Sequence, residues 1–316
     1  MSNNNEHHLC GGLLGLHALT SVHPGSGTAL GTVDLPVQRE RHTHWPNIAG
    51  SALKGILRDA SRERIREEEQ IERKEADGHD KLTAVFGPPS GNSSEHAGAI
   101  SITDARLIAF PVRSLKGVFA WVTCHGALTR LKRDAAIVNL TCDVAEIGPD
   151  TNQAILCSGS PCLCPDNQIV LEEFLFSKAE GDASLIAKWM ADNLLPSTDS
   201  YASTRERIKK QLVILSDDDF THFAKQATEV LARVGLDYQT KTVKDGALFY
   251  QEFLPAETLF YSVVIANSAR TRKEQTSASN VLQTVDDHLP GVLQVGGDET
   301  TGKGYCSTRL TKGGQR

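Results

Sequence analysis

Nowhere in this 316-residue sequence does an apolar run approach the roughly 20 residues needed to span a bilayer. The opening MSNNNEHHLC has neither the basic start nor the long apolar stretch of a secretory signal. A cytoplasmic location with no membrane partner is the expectation. Positive charge is also short: 33 Lys and Arg face 39 Asp and Glu, a formal net charge of −6. That balance excludes a protein that grips nucleic acid by bulk charge alone, so any such site must be a local basic surface, with neighbouring subunits to complete it. There is no internal repeat, no interdomain linker, no HExxH pattern and no histidine spacing that compels a metal site. Seven cysteines is an odd number in a chain too large to depend on disulfides, and free thiols are expected in a reducing compartment. What is present, 40% hydrophobic and 23% charged residues, is ordinary for a soluble globular protein with a substantial core.

Residues 13–20 read as a buried first strand, followed by a glycine- and proline-rich polar loop over 21–47. A loop of that length inside a compact domain is usually functional. From Ser51, a plausible N-cap, Leu53, Ile56, Leu57 and Ala60 fall at helical spacing, and the helix continues into an exposed Arg/Glu extension toward residue 74. Strands are expected at 99–110, 117–124, 169–176, 209–215 and 259–266, with helices at 127–138 and 184–194 and a short one opened by Ser216 and Asp217–Asp219. Residues 141–168, rich in Gly, Pro, Asn and Cys, read as an insertion. Residues 229–253 read as a long β-hairpin turning over 239–246. The end is strand, glycine loop, strand. The fold class is α+β, one domain over 1–316 with insertions decorating a single core.

Several residues invite chemistry. Asp34 in the long loop is by local pattern a turn aspartate before Pro36, hydrogen-bonding its own backbone, or else a base or a metal ligand. His23 in HPGSG is either structural or placed to handle a phosphate, whereas His17 reads as a packed strand residue and His7 and His8 as tail. Lys54 and Arg58 share a helix face, and with that helix's first amides would form a phosphate site that Arg39 and Arg41 extend. His42 and His44 are further candidate contacts. Gly297 to Gly304 nearly matches a Walker A loop, but Gly304 stands where Ser or Thr would bind Mg²⁺, and only 12 residues follow. Gly296, Gly297, Gly302, Lys303 and Gly304 read better as a loop whose amides approach phosphates, a plain β-turn being the alternative. Cys142, Cys157, Cys162 and Cys164 fall close together but lack two C-x2-4-C pairs, so structural zinc is not expected.

Three stretches, HPGSGTALGTVDLPVQRERHTHWPNIAGSALKGILR, LFYQEFLP and LQVGGDETTGKGYC, make the chain resemble the RAMP-superfamily backbone subunit of the Cmr complex, the type III-B CRISPR effector. The resemblance extends from residue 14 to about 306. It implies an RRM-like, ferredoxin-like βαββαβ core with a projecting thumb hairpin at about 229–253. It also implies stacking of copies into a helical filament on guide CRISPR RNA beside other Cmr subunits. The implied activity is divalent-metal-dependent (Mg²⁺ or Mn²⁺) cleavage of target RNA at regular intervals. On this resemblance Asp34 matches the catalytic and metal-binding aspartate, His23 the HPGSG histidine and Lys54 a guide-RNA contact. Leu248 and Phe249 of the hairpin become candidate wedges between bases. The competing readings are a non-catalytic RNA-binding filament scaffold and a guide-processing endonuclease; the hairpin and the DLPVQRERH loop speak against the latter.

Overall fold

A computed structural model describes residues 10–314 apart from 30, 90–95, 144–147 and 272–275; His7 and His8 lie outside this set. The fold centres on β1 (Gly11–Ala18), every residue of which is buried. β2 (Asn47–Ile48) leads into α1 (Gly50–Glu69), where Leu53, Leu57, Ser61 and Ile65 repeat every four residues and form the inward stripe. α1 begins one residue before the expected cap: Ala49 occupies that position, and the Asp104 carboxylate, not Ser51, takes the Gly50 amide at 2.7 Å. Gln70 in the left-handed conformation ends α1, so the helix expected to run toward residue 74 breaks into α1 and α2 (Arg73–Asp77), and α3 (Asp80–Phe86) follows beyond it.

β3 (Ile100–Ile102), β4 (Ala105–Arg113) and β5 (Phe119–Cys124) precede α4 (His125–Ile137). β6 (Gln153–Leu156), β7 (Gln168–Leu171) and β8 (Phe174–Lys178) follow, then α5 (Ser184–Asn193), α6 (Ala202–Gln211), β9 (Leu212–Leu215) and α7 (Asp217–Gln226). β10 (Glu229–Leu236) and β11 (Val243–Phe253) form the hairpin; β12 (Leu259–Ala266), α8 (Ala278–Asp287), β13 (Val292–Gln294) and β14 (Tyr305–Lys312) complete the chain.

The main sheet runs β13-β14-β1-β12-β4-β5-β9-β6-β8-β7, with β2 on β4 and β3 on β12. β1 lies antiparallel between β12 and β14, with Leu14 opposite Ser262 on one side and Leu310 on the other. Pairing stays antiparallel through β4 and β5, then β9 adds parallel to β5. The result is a mixed α/β architecture on one large mixed sheet. Four departures from the expected elements have local causes. The stretch 141–168 is not loop throughout: β6 lies inside the main sheet between β9 and β8. The expected strand at 169–176 is folded back at Glu172, whose φ is 49°, into β7 and β8. The expected strand at 209–215 begins only at Leu212, because Ile208 and Gln211 close the buried face of α6. α8, capped by Ser277 and burying Val281, Leu282 and Val285, has no counterpart among the expected elements. Among the described residues no helix is long and apolar enough to cross a membrane.

Candidate functional site

The loop from Ser21 to Val37 is held in place by distant backbone. Val22 bridges Leu254, Gly25 bridges Val37, and Leu35 bridges Gln251 on β11. Asp34 sits in this seam. Its amide and that of Leu35 both donate to the Tyr250 carbonyl, at 3.1 and 3.0 Å, and its Oδ2 accepts from the Tyr250 amide at 2.7 Å. The carboxylate therefore reaches across to a strand 216 residues away rather than closing an Asx-turn on its own loop. Its Oδ1 has no hydrogen-bond partner among the described residues. Asp34 is half-buried, with one oxygen anchored and one open.

His23 is nearer the interior, 7% exposed, with its ring 5.5 Å from that of Phe253. Its Nδ1 lies 2.7 Å from the Glu252 carbonyl. A carbonyl only accepts, so Nδ1 carries a proton in this bond. Packing and this hydrogen bond make His23 a strut between the loop and β11.

The glycine loop closes on the same histidine. The Gly297 amide donates to the His23 carbonyl at 3.1 Å and the Gly304 amide to the Ser21 carbonyl at 2.9 Å. Gly296 has φ 86°, and a Cβ there would lie 2.3 Å from the His23 carbonyl oxygen, so only glycine admits the approach. The amides of Gly302 and Lys303 turn inward to Glu299 and Asp298. The amides of Gly297, Gly302, Lys303 and Gly304 are thus bonded within the protein, and the loop also carries the Lys303 side chain, 5.1 Å over Phe253.

Two carboxylates that local pattern did not single out organise the seam. Glu252, 6% exposed, accepts from the Val37 amide (2.9 Å), Thr228 Oγ1 (2.9 Å) and Arg39 (2.5 Å). Arg39 also donates to the carbonyls of His44 and Ala224, so it braces the loop while lining the cleft at the start of α1. Asp298 accepts from Gln251 at 2.6 Å and pairs with Arg233, tying the glycine loop to both hairpin strands. Burial alone would raise the Asp298 carboxyl, but these hydrogen bonds and the nearby cations outweigh it and hold it below the usual aspartate range.

On α1 the paired basic residues part company. Arg58 donates to the carbonyls of Gly87 and Asp77, closing the ends of α3 and α2. Lys54 is half-buried with no ion-pair partner among the described residues; burial, then the Arg58 charge, pull its ammonium below its ordinary value. An anion there would reverse that penalty. Arg41 and His42 are exposed and line an open cleft of about 600 Å³ at the start of α1; His42 lies 3.8 Å from Glu40, and His44 is exposed nearby.

The hairpin stands apart as its own two-stranded sheet. Its turn is tighter than the sequence suggests, since Asp237 caps the amides of Gln239 and Thr240 at 2.9 Å each and β11 already begins at Val243. Leu248 is 54% exposed and Tyr238 84%, while Phe249 is partly covered by Arg233. Val230, Val234 and Leu236 are exposed as well, an apolar surface of the kind that marks a binding face.

Among the described residues no three or more His, Cys, Asp or Glu side chains come together to hold a metal, so the donor set around Asp34 does not fit a cation caged by this chain alone. All seven cysteines are free thiols. Burial pushes the Cys142 and Cys157 thiols up to about 12.

Comparison with known proteins agrees with this architecture. The family model of the RAMP superfamily matches residues 16–307. The Cmr endoribonuclease Cmr4 of Pyrococcus furiosus is 37% identical over 302 residues, covering 94% of this chain and 95% of the relative. The crystal structure of oligomeric Cmr4 from Pyrococcus furiosus superposes with a TM-score of 0.71 at 30% identity, covering 97% of this chain and all of that one. A chain of a type III-B Cmr-beta complex bound to cognate target RNA, solved by cryo-EM, shares the fold with a TM-score of 0.72 at 20% identity, over 96% of this chain and 98% of that one. The match to the family model over nearly the whole length, together with that identity, places this chain in the RAMP superfamily.

Proposed function

We propose that this protein is the backbone subunit of a type III-B Cmr effector complex, binding guide RNA, stacking with its own copies and cleaving complementary target RNA. Its relatives are named as a Cmr endoribonuclease and as an oligomeric subunit. One observation carries the catalytic part: the Asp34 carboxylate is held by Tyr250 through one oxygen, and the other has no partner among the described residues. In the proposed reaction Asp34 takes the proton of a target 2′-hydroxyl, and the resulting oxyanion attacks the adjacent phosphorus and displaces the 5′-oxygen. His23, Arg39 and Glu252 position the loop. Mg²⁺ or Mn²⁺ would need RNA phosphates and water beside Asp34 to complete its ligands, and would there stabilise charge on the phosphate. The deciding experiment mixes reconstituted complex with complementary RNA, with and without either cation. Regularly spaced products are expected; intact RNA under every condition leaves only the scaffold.

The strand order β14-β1-β12-β4, with α1 following β1 and α8 preceding β14, supports reading the core as RRM-like, in one domain over 1–316 with the stretch at about 141–168 as an elaboration. The hairpin at about 229–253 is then the thumb, its exposed Leu248 available, with Phe249, to part stacked bases. Deleting residues 237–247 should leave the thermal unfolding midpoint nearly unchanged, because that segment is solvated, while altering cleavage spacing. Unaltered spacing and assembly would make it an ordinary hairpin.

Lys54, with Arg41 and Lys303, is assigned to phosphates. Lys54→Ala should weaken RNA binding equally for all sequences and reduce the slope of log affinity against log salt by about 1. An identical slope in both proteins would return Lys54 to the solvated charges.

A further inference from the structure

The cleft at the start of α1 holds a buried polar group that the fold itself leaves unused. Asn47, on β2 and 7% exposed, lines this cleft, and its Oδ1 has no hydrogen-bond partner among the described residues. Buried carboxamides are nearly always paired, because an unmade hydrogen bond in the interior carries the full desolvation penalty. An orphan beside an open cleft therefore points to a partner that arrives with a ligand.

The surroundings define that ligand. α1 is a 20-residue helix, and its first amides have no intrahelical partners; Gly50 is capped by Asp104, while Ser51 follows at the cleft wall. Arg41 adds a positive charge with no ion pair among the described residues. The acids of the lining are engaged elsewhere, Glu40 with Arg130 and Thr43, Asp104 with Gly50. Arg106 is likewise paired with Asp134. The free chemistry is thus one side suited to a phosphate and one neutral carboxamide a short distance inside.

A ribose–phosphate unit matches both. We infer that this cleft binds one nucleotide of an RNA backbone, with Arg41 and the start of α1 on the phosphate and Asn47 on the ribose 2′-hydroxyl. The inference rests on the reading of the chain as an RNA-binding backbone subunit. A hydroxyl both donates and accepts, so it satisfies either end of the carboxamide, and the soft χ2 torsion of asparagine lets that end turn toward the sugar. A base edge fits the same group less well, since a subunit repeated along guides of any sequence gains nothing from reading one base. Asn47 is then a specificity residue: it distinguishes RNA from DNA without contributing to charge-driven affinity.

Fluorescence anisotropy with the purified full-length chain tests this, using labelled RNA and DNA oligonucleotides of one sequence. Wild-type protein should prefer RNA. Asn47→Leu should lose about two- to ten-fold in RNA affinity, the range of one neutral hydrogen bond, with DNA affinity and the salt slope unchanged. Its unfolding midpoint should be equal or higher, because an unpaired buried oxygen is gone; Asn47→Ala, which cannot clash, serves if the leucine does not fit. Unchanged RNA affinity, or RNA and DNA affinities falling in step, overturns the assignment of Asn47. Wild-type protein that binds neither strand would instead remove the RNA-binding reading beneath it.

Discussion

Asp34→Ala is expected to abolish target cleavage, by on the order of 10²–10⁴ in rate, while guide binding and assembly persist. A base acts as charge develops in the transition state, so its loss appears in the rate and not in ground-state binding. Removing a negative charge beside a polyanion should, if anything, tighten binding. The variant does lose the acceptor for the Tyr250 amide, but the backbone bonds from Asp34 and Leu35 to the Tyr250 carbonyl remain to hold the loop. Asp34→Asn separates the two roles, because its carbonyl oxygen still accepts from Tyr250 while its basicity is gone. Cleavage by Asp34→Asn at the parental rate, measured on complementary RNA in reconstituted complex, would make this carboxylate a clamp and nothing more.

Glu252→Ala should produce the largest loss of stability among single changes at the site. It strips the counter-charge from Arg39 and leaves the Val37 amide and the Thr228 hydroxyl without their acceptor. Breaking a buried ion pair by removing one partner typically costs about 3–5 kcal/mol, most of it the uncompensated charge left behind. Chemical denaturation measures it directly. Glu252→Gln should be milder in stability, since one oxygen still accepts, yet cleavage should fall because Arg39 no longer pulls the loop against β11. Parental stability in Glu252→Ala would show that the loop is held by its backbone bridges alone.

The two predictions divide along what was legible beforehand. Asp34 stands out in the sequence because the long loop carrying it resembles a known motif; by local pattern alone it reads as a turn aspartate before Pro36. Glu252 does not stand out, because nothing local separates a buried acid paired with Arg39 from an acid on the wet face of a strand. The same limit applies to Arg58: a lysine and an arginine one helical turn apart read as a pair, and the carbonyls of Gly87 and Asp77 that claim the arginine come from helices the periodicity did not resolve. For the glycine loop, sequence pointed to backbone freedom, and in the fold that freedom serves contact with Ser21 and His23, partners no local pattern could name.

By itself the sequence determined the local choices: a buried β1, the inward stripe of α1, the Ser216 cap of α7, a hairpin over β10 and β11, and a loop rich enough in glycine and proline to be neither helix nor strand. These follow from residues a few positions apart, whose periods of 2 and 3.6 and whose capping chemistry are written in adjacent positions. Tertiary structure alone decided which polar groups stay free for a ligand. His23 meets Glu252 across 229 residues and Asp34 meets Tyr250 across 216. Internal pairing commits Arg39, Arg58 and the amides of Gly297, Gly302, Lys303 and Gly304, and among the described residues leaves Lys54, Arg41, the Asp34 Oδ1 and the Asn47 Oδ1 without a partner. A charge or an amide is available only if no buried partner claims it first, and those partners are brought together by the sheet order, which no local stretch of sequence encodes.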